Sequence, residues 1–116
     1  VTFTPAEPLS QHAVESEIMR LSALAESVTH KLAVRAREAA EADSAYKAGH
    51  AKAFLLADGS VAVREAEAAV LCEELYRQKR ATEALLLSAT EAGRNTRAQL
   101  DALRSIAANL RALVAS

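Results

Sequence analysis

The chain has 116 residues, which is one domain at most, and its net charge is −1. Acids and bases are interspersed, so no global electrostatic case for nucleic acid or membrane arises. Aromatic residues make up only 3% and Cys72 is the single cysteine. That excludes an internal disulfide, and with alanine the dominant residue it favours long helices in close contact over a globule filled by large side chains.

Residues 1–9 contain Pro5 and Pro8. Thr4-Pro5-Ala6-Glu7 matches a capping box with proline at the first helical position, but Pro8 argues against a continuous helix from there. The segment is expected to form an extended arm or a single turn, with Phe3 and Leu9 packing onto the bundle. It lacks the basic and apolar pattern of a signal peptide, and no apolar run is long enough to cross a membrane. Together with the lone cysteine this leads to an expected cytoplasmic location.

The first helix is predicted over residues 10–57. Val14, Ile18, Leu21, Ala25, Val28, Leu32, Ala39, Ala42, Tyr46, Ala53 and Leu56 form an apolar seam with steps of three and four, apart from a gap at Arg35 and Ala36. A turn follows at residues 58–60. Gly59 suits the left-handed conformation that ends a helix, and Ser60 suits the cap of the next. The second helix is predicted over residues 61–114, with its clearest heptad stretch from Leu100 onward. Gly49 and Gly93 each allow two readings: a break in the helix, or a close approach by another helix.

The predicted fold is therefore all-α: a long antiparallel helical hairpin, coiled-coil-like, that dimerises into a four-helix bundle. Folding at Gly59 sets Leu32 near Leu85 and Ile18 near Leu100. Leu85-Leu86-Leu87 and Val70-Leu71-Cys72 each spread around most of a helix, and one partner helix covers only a stripe. Self-association through Leu85, Leu86, Leu100, Leu103, Ile106, Leu110 and Leu113 is the expected remedy.

Chemistry-bearing patterns are sparse. His12, His30 and His50 have no ligand partner at helical metal spacing, and the glutamates lack the Glu-x-x-His motif of a di-metal bundle. Neither a phosphate-cradling glycine loop nor a nucleophile elbow is present. No catalytic residue, metal or cofactor is expected, and Cys72 is read as a buried structural cysteine. The densest basic cluster is Arg77-Gln78-Lys79-Arg80. The predicted register brings Arg35 and Arg37 beside it, so Arg35, Arg37, Arg77, Lys79 and Arg80 form a candidate patch for phosphates or a partner. The competing reading is a solvated face neutralised by Glu38, Glu41 and Glu83. No aromatics interleave with these bases, which argues against a stacking platform for single strands.

The run from Tyr46 to Ala68 (YKAGHAKAFLLADGSVAVREAEA) and the run from Arg97 to Arg111 (RAQLDALRSIAANLR) resemble small alanine-rich helical proteins of tailed bacteriophages and prophages, with a composition that suits an actinobacterial phage or host. The resemblance covers residues 40–113. It implies a cytoplasmic accessory protein encoded near replication and recombination genes, and it assigns no catalytic residue. The small secreted helical hairpins with a Trp-x-Gly turn fit less well, because the chain has no tryptophan and Tyr76 is followed four residues later by Arg80 rather than an acid. The leading expectation is a non-enzymatic oligomeric scaffold or adaptor in DNA replication or recombination, whose partners are itself and an unidentified protein. Direct nucleic-acid binding and inhibition of a host protein are the alternatives.

Overall fold

A computed structural model describes residues 10–115, all in helices or the short links between them. The expected N-terminal arm and its Thr4–Glu7 capping box lie outside the described residues. Three helices follow one another: α1 (Gln11–Leu56), α2 (Val61–Leu71) and α3 (Glu73–Ala115). The protein is all-α among the described residues. None of the helices is long and apolar enough to cross a membrane.

Local chemistry accounts for the helix ends. Ser10 accepts a hydrogen bond from the Ala13 amide at 3.0 Å, so it caps α1 rather than starting it. Between α1 and α2, Gly59 takes φ 109°, and Ser60 caps α2 by accepting from the Val63 amide. Arg64 then reaches back. Its Nε donates to the Phe54 carbonyl at 3.2 Å, and its guanidinium lies 4.4 Å from the Phe54 ring centroid. Phe54 is in the last turn of α1, where carbonyls lack helical partners, so Arg64 satisfies one of them and adds a cation–π contact.

The predicted single helix over residues 61–114 is interrupted, and the interruption is at Cys72. There the backbone takes φ −102° and ψ 15°. The helical hydrogen bonds persist on both sides, from Cys72 N–H to the Ala68 carbonyl and from Tyr76 N–H to the Cys72 carbonyl. Gly93, by contrast, lies within continuous α3.

The chain divides into two compact units, one built from residues up to Lys31 together with those from Thr90, the other from Leu32–Ala89. In the first, Val14, Leu21, Leu100, Leu103 and Ala107 form the buried core, with Ile18, Ala25, Ile106 and Leu110 packed against it. Branched aliphatics fill the space, and Leu21 is only 2% exposed. Thr96 is also buried, its hydroxyl donating back to the Ala92 carbonyl at 2.9 Å. Gly93 packs loosely in this unit: a Cβ there would meet only Val28 Cγ1, at 3.4 Å.

The second unit is built differently. Its contacts advance along α1 as they retreat along the later helices: Asp43 with Lys79, Tyr46 with Tyr76, Gly49 with Leu75, Phe54 with Arg64. Among the covered positions of α1 in this unit, Leu32, Arg35, Ala39, Ala42, Tyr46, Gly49 and Ala53 form one stripe, flanked by the partly covered Val34, Glu38, Asp43, His50 and Phe54. Arg35 thus fills the gap in the expected seam, while Leu56, expected on it, is 74% exposed. On α3 the corresponding stripe is Leu75, Lys79, Thr82, Leu86 and Ala89, with Glu83 partly covered beside it. Steps of three and four run through both sets. A Cβ on Gly49 would lie 2.6 Å from Leu75 Cδ1 and 3.8 Å from Cys72 Sγ. The interruption at Cys72 therefore falls where the helices approach closely, with Leu75 seated over a glycine.

Candidate functional site

The five bases expected to form a patch all lie on helices of the second unit, and each has an acidic neighbour. Arg35 pairs with Glu38 at 3.1 Å and Arg37 with Glu41 at 3.9 Å. Arg77 pairs with Glu73 at 2.6 Å and Glu74 at 3.5 Å. Lys79 meets Glu83 at 2.8 Å and Asp43 at 3.9 Å, and Arg80 meets Glu83 at 3.7 Å. Most of these pairs are at helical i,i+3 or i,i+4 spacing. Lys79–Asp43 joins α3 to α1, and it places an acid rather than Arg35 or Arg37 opposite the Arg77–Arg80 cluster.

Lys79 is the most enclosed of the five, its side chain 21% exposed. The Glu83 hydrogen bond raises its pKa above the ordinary lysine value, with the Glu83, Asp43 and Tyr76 charges adding. Asp43 is lowered in turn, first by its hydrogen bond with Lys47 and then by the Lys47 and Lys79 charges. The ammonium of Lys79 also lies 6.0 Å from the Tyr76 ring centroid. This lysine is already engaged by two carboxylates, which leaves it poorly placed to meet a phosphate.

A different basic feature appears in the first unit. Arg97, Arg104 and Arg111 follow one another at seven-residue intervals on α3, so they share one stripe of the helix. Arg104 has Asp101 at 3.9 Å. Arg97 and Arg111 have no carboxylate within ion-pairing distance among the described residues. The heptad spacing was readable in the sequence, but these arginines are dispersed, and a search for dense clusters passes over them.

The leucines expected to mediate self-association divide into two groups. Leu100 and Leu103 are buried in the first unit's core, with Ile106 and Leu110 half-buried beside it. They are engaged within the chain. Leu86 is half-buried, whereas Leu85 and Leu113 are exposed, as is Leu87 next to them. At the other triplet, Cys72 is buried while Val70 and Leu71 stand exposed. One helix partner has covered one residue of each triplet, as the geometry of a single stripe requires.

Among the described residues, several exposed large apolar side chains fall around α2. Among its eleven residues only Ala68 is buried. Val63 and Val70, 54% and 73% exposed, align with Ala66 at i, i+3 and i+7, and Ala62 and Ala69 lie beside them. Leu55 and Leu56 at the end of α1, with Val61 and Leu71, extend the exposed apolar surface of this unit. At about 60–120 Å² of apolar area per full side chain, these six large side chains leave on the order of 400 Å² in water. An area of that size is comparable to the largest apolar patch of an ordinary monomer, which often serves for binding.

None of the described residues forms a group of three or more histidines, cysteines or acids placed to hold a metal. His50 packs against Tyr46, ring centroids 5.8 Å apart. Comparison with protein-family models, with curated proteins and with solved structures finds no match.

Proposed function

We propose that the chain is a non-enzymatic helical scaffold or adaptor that works through protein–protein contacts and associates with itself. The observation that carries this reading is the uncovered apolar surface of Leu55, Leu56, Val61, Val63, Val70 and Leu71. Its fold is read as an antiparallel helical hairpin with coiled-coil-like seams, which a second copy completes toward a four-helix bundle. The resemblance to phage-encoded helical proteins supplies the setting: an accessory to DNA replication or recombination in the host cytoplasm. Light scattering over a concentration series tests the self-association. A concentration-dependent rise above monomer mass is expected, and a strict monomer at about 100 μM, a concentration at which even a Kd in the tens of micromolar populates the complex, sinks it.

A second reading, direct phosphate contact, is favoured by the unpaired Arg97 and Arg111 on the α3 stripe rather than by the ion-paired cluster at Arg77–Arg80. It predicts binding to labelled duplex DNA that weakens steeply between about 50 and 200 mM salt. Salt-insensitive binding, or none at the lower salt, removes it.

A further inference from the structure

We infer that the α2 face receives the C-terminal part of α3 from a second copy of this chain. The inference rests on the self-association proposed above and names its surfaces. Shape and charge both point to this occupant. The α2 face presents two valines, Val63 and Val70, above a floor of Ala62, Ala66 and Ala69. On α3, the exposed residues Ala98, Ala102, Ser105 and Ala108 follow at near-helical steps and make a shallow, small-residue surface into which a valine ridge fits.

Charge separates this occupant from a second α2. Between Asp58 and Glu74 stand five carboxylates and one arginine, and that arginine, Arg64, is held by Phe54. Two α2 faces brought together would therefore repel. Between Arg94 and Arg111 stand four arginines and one aspartate. Spacing matches as well as sign. Glu67 and Glu74 are seven residues apart along one edge of the valine stripe, and Arg97, Arg104 and Arg111 repeat at the same interval. That interval is about 10.5 Å along a helix; Glu67 and Glu74 span the Cys72 interruption, where the helical hydrogen bonds persist, so acids and arginines can meet in near register when the helices run alongside. Glu67, Arg97 and Arg111 have no ion pair among the described residues and lose none by engaging. In a two-copy assembly the contact is made twice, α2 of each copy meeting α3 of the other.

Charge reversal on the full chain tests this. Glu67→Arg with Glu74→Arg makes the α2 edge basic, and Arg97→Glu with Arg111→Glu makes the α3 stripe acidic. All four positions are exposed, and circular dichroism should show unchanged helicity in both variants. Sedimentation velocity near 50 mM salt is expected to show each variant associating at least tenfold more weakly than the parent. An equimolar mixture of the two should recover the parent's mass, because the basic α2 of one then meets the acidic α3 of the other. If the parent associates but the mixture does not recover, this contact is overturned while self-association stands. If only the α2 variant weakens association, α2 pairs with something other than α3, and the assignment is likewise overturned. A parent that stays monomeric overturns both.

Discussion

The two units of this chain use the same three-and-four spacing and fill it with different chemistry. The first packs Val14, Leu21, Leu100 and Leu103 into a buried core. The second uses Ala39, Ala42, Gly49 and Ala53, with Arg35 and Lys79 admitted to covered positions. Branched aliphatics bury area and stabilise. Small residues bring backbones close, and polar residues in a seam select a register at a cost in stability. Spacing therefore tells where helices meet, while residue size tells how firmly. The second unit is also the one that leaves six large apolar side chains around α2 and the turn in water, beside a seam of small residues.

The largest effect should come from the first unit's core. Leu21→Ala or Leu103→Ala is expected to lose about 2–5 kcal/mol in chemical denaturation, because each leaves a cavity among fixed neighbours. Ala39→Gly in the second unit should lose only about 1 kcal/mol, mainly through helix propensity. Equal losses would break the contrast. At the turn, Gly59→Ala forces a side chain to φ 109° and should cost about 1–3 kcal/mol by thermal unfolding.

The two helical glycines sharpen the comparison at a smaller scale. Gly93→Ala should stabilise by up to about 1 kcal/mol, since alanine is the better helix former and its Cβ meets only an ordinary contact. Gly49→Ala should yield no such gain, because its Cβ would displace the tip of Leu75. An equal rise in Tm for both would show that the close approach at Gly49 carries no packing energy.

The smallest effect concerns pH. Asp43 in the second unit and Glu17 in the first both have lowered pKa values, Asp43 mainly through Lys47 and Glu17 mainly through its hydrogen bond with Arg20. A lowered folded-state pKa contributes stability above the unfolded carboxylate value, near 4, and that contribution is lost as pH falls through the folded value. Lys79, raised by Glu83, contributes below the unfolded lysine value and loses its contribution as pH rises through the folded one. Asp43→Asn should flatten the acid limb of a Tm-against-pH curve. Glu17→Gln should flatten it similarly, since the main partner of each carboxylate, Lys47 or Arg20, sits three or four residues away on the same helix. A larger effect at Asp43 would show that its further contact with Lys79 adds to the Lys47 hydrogen bond across the helices.

Much of the local structure was legible in the residues. Ser10, Gly59 and Ser60 announced the helix ends, and Val14 to Val28 announced the first unit's seam. The interruption at Cys72 was not legible, because the residue has no helix-breaking character and its distortion coincides with the seat of Leu75 over Gly49. The arginine stripe was present as spacing but hidden by dispersion. The excess of apolar residues at Val70-Leu71-Cys72 was countable in the sequence, but not that the small Ala68 is buried while the larger Val61, Val63 and Val70 stand exposed.

The sequence by itself determined the helical content, the turn and its caps, and the stripe that lets α1 meet α3 within the first unit. These depend on interactions within a few residues, or on large side chains whose burial admits one phase. Register in the second unit was decided only by tertiary packing. In an alanine-rich seam, neighbouring registers bury nearly the same area, so composition alone does not choose among them. Tyr46 against Tyr76, Leu75 over Gly49 and Asp43 facing Lys79 make the choice. That choice sets Lys79 against Asp43, while α2's valines stay in water.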